Sequence, residues 1–212
     1  MRIQGYRTKL TAGMLERTRI PRRFWSVKYD SVPNSARRYL GNYLRSVEEM
    51  LDGGEGFLLW GPNGVGKTSI ATLIGFEVAR RGGTAYFVTA ESLRISSIER
   101  TPFDADTSVM ERAQEVELLI IDDLGKEHRS ESAYAERLME NLLRVRLAQK
   151  RATIITTNLP LVGIRERRIA GLNTVYSVSM LEVLRECVLP LEVTGENQRH
   201  GAADQLQERL AV

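Results

Sequence analysis

Apolar residues fall into two alternating patterns along this 212-residue chain. Short, largely apolar runs at 56–60, 84–90, 118–125, 152–158 and 188–194 read as buried strands. Between them lie longer stretches with helical spacing. Ser35 is placed to cap a helix running to about Leu51, with Leu40, Tyr43, Leu44 and Val47 on one face and Asp52, Gly53 and Gly54 ending it. An alanine- and isoleucine-rich helix follows at 69–81, closed by Gly82 and Gly83. Shorter helices fit 91–98, 110–116 and 180–187, and a long one fits 132–149 with Tyr134, Leu138, Leu142 and Val145 on its apolar face. A last amphipathic stretch lies at 202–210. Residues 99–108 and 126–131 read as loops, and 161–178 carries no legible period. Strands that are apolar on both faces and alternate with helices specify an α/β fold with a parallel sheet covered on both sides. Pro190 suits an edge strand better than a central one.

Composition adds limits. A content of 42% hydrophobic and 27% charged residues is ordinary for a globular domain, and the length suits one α/β domain with short extensions. No apolar run is long enough to span a bilayer, and residues 1–23 lack the apolar core of a secretory signal. The lone Cys187 permits no internal disulfide and no zinc cluster, so a cytoplasmic protein is expected. Charge is uneven. Residues 1–45 carry eleven bases against Glu16 and Asp30, a net +9, so a chain of net +3 has −6 on the remainder. Such a segment suits a polyanion or the acidic face of another protein, or is simply a solvated leader. Phe24, Trp25 and Tyr29 cluster just after Ile20 and Pro21. They suit either one wall of a base pocket or a hydrophobic anchor.

The most specific chemistry is Gly61-Pro62-Asn63-Gly64-Val65-Gly66-Lys67-Thr68, set between a strand and a helix. Glycines let the backbone turn its N–H groups inward on a phosphate, and the helix that follows adds its positive end. Lys67 is placed to reach the β- and γ-phosphates and the Thr68 hydroxyl to ligate Mg²⁺, with Ser69 completing the nucleotide-contacting set. Asp122 and Asp123 end the third apolar run, where an open parallel sheet presents its ligands. Asp122 is the expected Mg²⁺ partner and Asp123 the residue that orients or activates water. Asn158 ends the fourth run, where a neutral amide suits a γ-phosphate or a water, or a strand-end turn.

Taken in order, the motifs at 60–68, 118–127 and 153–160, with Ile20-Pro21-Arg22-Arg23-Phe24 before them and 191–199 after, resemble the AAA+ ATPases of the DnaC/DnaI helicase-loader type and the IstB-type transposition helpers. The resemblance implies a five-stranded sheet of order 5-1-4-3-2, no full C-terminal lid, and ATP with Mg²⁺ bound between neighbouring subunits of a homo-oligomer. It implies a sensor role for Asn158 and a γ-phosphate contact for Arg199. It divides the chain into a basic arm at 1–19, an ATPase domain at 20–199 and a tail at 200–212. The family's trans-acting arginine falls near Glu182 here, so Arg165, Arg167, Arg168 or Arg185 would have to replace it, or turnover would be slow. Arg146 matches a recurrent family arginine. The partners implied are DNA, bound without base specificity, and either a replicative helicase or a transposase. The expected functions are loading of a replicative helicase, regulation of transposition on DNA, or nucleotide-dependent binding of a partner with little hydrolysis.

Overall fold

The computed structural model describes residues 8–98, 107–125, 132–164 and 169–198. Five strands, β1 (Phe57–Trp60), β2 (Ala85–Thr89), β3 (Leu118–Leu124), β4 (Ala152–Thr157) and β5 (Leu189–Glu192), form one sheet of order β2-β3-β4-β1-β5. All pairings are parallel, with Leu58 beside both Ile155 and Pro190, and Ile120 beside both Phe87 and Ile154. This is the order the family resemblance implied, and the all-parallel pairing is what strands apolar on both faces specify.

Each face is covered by its own helices. On one lie α4 (Lys67–Arg80) and the N-terminal helices α1 (Ala12–Arg17), α2 (Asn34–Arg45) and α3 (Val47–Gly53). Their Leu40, Val47, Ile70 and Ile74 pack on Leu59, Leu118 and Ile154. On the other lie α5 (Ala90–Ile98), α6 (Thr107–Glu115), α7 (Ser132–Ala148) and α9 (Val178–Cys187), with Leu93, Leu142, Leu143 and Val183 against Leu119, Ile121 and Ile155. Such helices are fixed mainly by the apolar stripe they bury.

The two edges are closed differently. The Phe87 N–H of β2 donates to Thr18 O at 2.8 Å, so the segment before Ile20 covers that edge. On β5, the N–H groups of Leu189 and Val193 donate inward to Gly56 O and Trp60 O. The alternation of a strand then turns residue 190 outward, and a proline there removes a donor that another strand would need.

Several expectations change. The helix expected over 35–51 is two helices, because Ser46 leaves helical geometry and Val47 then buries completely. Pro33, not Ser35, precedes α2, and Gly54 in left-handed conformation ends α3. Residues 8–19 do not stand off the domain: Thr8 bonds Arg80 O, α1 lies against α4, and Thr18 and Ile20 are buried. Phe24 and Trp25 are hydrophobic anchors on this layer, with the Trp25 indole N–H donating to Ile20 O at 2.9 Å. α6 begins at Thr107, ahead of Met110, and α9 at Val178, where the Ser177 hydroxyl accepts from Met180 N. α7 buries Ala135, Met139, Leu142, Leu143 and Arg146 while Tyr134 is half exposed, a stripe rotated one position from the expected face. The cause is that α7 packs on both the sheet and α9, with Arg146 turned inward. In 161–178, Ile164 and Ile169 pair antiparallel and α8 (Leu172–Val175) follows. The stretch 202–210 and most of the loops at 99–108 and 126–131 lie outside the described residues.

Candidate nucleotide site

The site is built at the C-terminal ends of β1, β3 and β4, which are neighbours in the sheet. Gly61 leaves β1 with φ 144°, and a Cβ there would stand 2.2 Å from Val193 O. Gly64 has φ 80°, and a Cβ on it would meet Asn197 Oδ1 at 1.8 Å. Both positions therefore require glycine, for conformation and for space. Val65 is buried and pins the loop to the core, and α4 starts at Lys67 with Ile70 N donating to Gly66 O.

Lys67 is only 6% exposed, and its ammonium donates to Gly61 O at 2.8 Å, Pro62 O at 2.6 Å and Asn158 Oδ1 at 2.8 Å. A buried ammonium bonded to two carbonyls of the phosphate loop is placed to meet an anion bound there. Thr68 donates to Asp122 Oδ1 at 2.9 Å, and Asp122 is itself buried. A hydroxyl and a carboxylate on two elements, this close at a helix start, are the oxygen ligands that a hard divalent cation takes from protein in a phosphate site. The donor set thus fits a polyphosphate with Mg²⁺. Asn63, Pro62 and the half-buried Gly64, Gly66 and Ser69 form the outward side of the loop.

Asp123 lies in left-handed conformation with φ 62°, where β3 slips register between Ile121 and Leu124. Its N–H donates to Thr156 Oγ1 at 3.0 Å, and Thr156 donates to Asp122 Oδ1 at 2.6 Å. Thr157 donates to Leu124 O at 2.7 Å. The sequence reading missed these two threonines, whose only signal was their place just before Asn158 at the end of β4.

A second feature missing from the sequence reading is the strap at 193–198. Val193 N bonds Trp60 O, Gln198 N bonds Gly64 O at 3.0 Å, and the Gln198 amide donates to Ser31 O at 2.8 Å. Ser35 Oγ donates to Thr194 O at 2.9 Å and accepts from Thr194 N at 3.0 Å. The strap thus ties the phosphate loop to the turn at 31–35. Arg199, the next residue, and Arg165, Arg167 and Arg168 lie outside the described residues. Arg185 is exposed near the end of α9, at the opposite end of the sheet from its own phosphate loop.

Comparison with known proteins agrees with this geometry. Residues 14–199 match the family described as IstB-like ATP binding protein. A protein named for ATP binding in insertion sequence IS232 of Bacillus thuringiensis subsp. berliner is 32% identical over 117 residues, covering 55% of this chain and 44% of that one. The chain therefore matches less than half the length of that relative. The structure of the DnaC helicase loader superposes with a TM-score of 0.68 at 23% identity, covering 82% of this chain and 100% of that one. That of DnaI gives 0.65 at 23% identity, covering 85% and 94%. These two likenesses establish the fold. The match over most of the chain, joined to a phosphate loop, an acid pair and a strand-end asparagine, makes this chain a member of the IstB-like ATP-binding family.

Proposed function

We propose that the protein hydrolyses ATP to control its assembly on DNA, and that it serves a transposase as a helper protein. The observation that carries hydrolysis is the buried network linking Lys67 to Asn158 and Thr68 to Asp122 across three elements. Bound Mg²⁺ would supply charge neutralisation at the β- and γ-phosphates. The chain's own residues do the rest. The loop N–H groups and Lys67 hold phosphate oxygens, and Thr68 and Asp122 provide the cation's protein ligands. Asp123 takes a proton from the attacking water, and Asn158 orients that water without adding charge. Arg199 and an arginine from a neighbouring subunit complete the charge around the γ-phosphate.

The transposition reading is supported by the family match and by relatives that belong to insertion sequences. Loading of a replicative helicase is the second reading, supported by the likeness of fold to DnaC and DnaI. A nucleotide-dependent binder with little turnover is a third outcome. The DNA contact would be made by the exposed bases of the N-terminal layer, without base reading. No helix among the described residues is long and apolar enough to cross a membrane, and the reading places the protein in the cytoplasm.

The test is ATP turnover and sedimentation with DNA for wild type and Lys67→Ala. Loss of charge-assisted hydrogen bonds should weaken ATP binding by about 10- to 100-fold in the variant and abolish ATP-dependent assembly. Equal turnover by the variant rejects the site. Capture of a transposase supports the helper reading, and capture of a replicative helicase instead supports loading.

A further inference from the structure

We propose that Thr156 is a positioning residue for the acid pair: one hydroxyl sets the place of both Asp122 and Asp123. The inference rests on the reading that these acids serve ATP hydrolysis. In a regular strand, neighbouring side chains point to opposite faces, so two adjacent acids cannot both turn to one ligand. β3 solves this by slipping register between Ile121 and Leu124 and holding Asp123 at φ 62°. That conformation costs a non-glycine residue about 1 kcal/mol or more and persists only where its surroundings enforce it.

The enforcing contact is the Thr156 hydroxyl. A hydroxyl has one proton to give and two lone pairs to receive. Here the proton goes to Asp122 Oδ1 at 2.6 Å, and a lone pair receives the Asp123 N–H at 3.0 Å. The carboxylate of Asp122 orients the hydroxyl, and the oriented hydroxyl then holds the bent backbone of Asp123. Asp122 Oδ1 also receives Thr68 Oγ1 at 2.9 Å. A continuous chain of contacts therefore runs from the first turn of α4, through Asp122 and Thr156, to Asp123. Thr156 is 1% exposed and stands two residues before Asn158, which holds Lys67. The end of β4 thus anchors both the acids and the lysine.

The decisive comparison is Thr156→Val, which keeps the branched shape and removes the hydroxyl, against Thr156→Ser, which keeps the hydroxyl. Amide hydrogen exchange at Asp123 is read without nucleotide, and kcat, KM and the Mg²⁺ dependence of turnover are read with ATP. The valine variant should exchange the Asp123 amide at least about ten-fold faster and lose about ten-fold or more in kcat, with KM changed less than about three-fold. Serine should restore both. Wild-type exchange at Asp123 in the valine variant, or failure of serine to restore it, overturns the proposal. If valine does not fold, Thr156→Cys carries the same comparison, its thiol being a weak partner. Absence of wild-type turnover would reject hydrolysis while the amide exchange still decides the role of Thr156.

Discussion

Arg146 is among the largest fully buried side chains described, and oxygens of the chain itself hold it. Its guanidinium donates to Ala113 O at 2.7 Å, Val116 O at 2.9 Å, Ala152 O at 2.6 Å and Thr153 Oγ1 at 2.9 Å. Those carbonyls end α6, open β3 and open β4, so one planar fork closes three chain ends that water would otherwise have to satisfy. Burial lowers its pKa to about 9, with Arg151 acting in the same direction, so it stays charged at neutral pH. Arg146→Met should strand several buried carbonyls and cost about 3 kcal/mol or more of stability, seen as a lower urea midpoint. Lysine should not rescue it, since an ammonium cannot span the fork. Nearby, Cys187 is the only cysteine of the chain, and burial raises its thiol to about 11, with Glu186 adding to the shift. At pH 8 only roughly one thiol in a thousand is then thiolate, so alkylation should be slow and accelerate as pH rises toward 11. The neutral thiol is the form the fold favours. Its contribution to stability is full below its unfolded pKa, near 9, and is lost as pH passes through 11. Fast alkylation at pH 8, at a rate that tracks an ordinary thiol, would show that Cys187 is not enclosed.

At the scale of elements, the strap at 193–198 connects the nucleotide loop to the N-terminal layer. Its two bonds to Ser35 join residues 159 positions apart in sequence. Ser35→Ala removes both while leaving the phosphate loop intact. ATP and Mg²⁺ should still bind, but a fluorescent ATP analogue should dissociate about five- to ten-fold faster in stopped flow. An unchanged rate would mean that the strap does not bear on nucleotide retention. This contact also shows where sequence reading stops. The phosphate loop and the acid pair were legible because each depends on local spacing, and the parallel sheet because its strands are apolar on both faces; the strand order came only from the family resemblance. Ser35 looked like a helix cap because its partner lies across the molecule. Thr156 looked like an ordinary strand residue because alternation contains no sign of the slip in β3. The buried face of α7 was misjudged because a period cannot say that an arginine points inward.

At the scale of the whole molecule, the layer on one side of the sheet is electrostatically different from the other. Between Lys9 and Arg45 there are nine bases and two acids, and Arg17, Arg19, Arg22, Arg23, Lys28, Arg38 and Arg45 are all exposed. Arg22 and Arg23 stand over the rings of Trp25 and Phe24, at 5.4 and 4.7 Å, so packing presents this charge on folded structure. On the opposite side, α6 carries Glu111 and Glu115 with Arg112, and α9 carries Glu182 and Glu186 with Arg185. A DNA backbone drawn to the first side would release counterions in proportion to the phosphates it meets. Truncating residues 1–19 is a poor probe of this, because it also uncovers the edge of β2 and the buried Ile20. Reversing charge at exposed positions is cleaner. The triple variant Arg23→Glu, Lys28→Glu, Arg38→Glu should bind an oligonucleotide at least about ten-fold more weakly, with a log–log salt slope shallower by about 2. Its ATP affinity should match wild type, since all three are exposed side chains outside the phosphate loop and the acid pair. Arg137→Glu, exposed on α7, serves as the control and should leave DNA binding as it was. If the control weakens binding as much as the triple variant does, the DNA path does not follow the N-terminal layer, and the charge there answers to another partner.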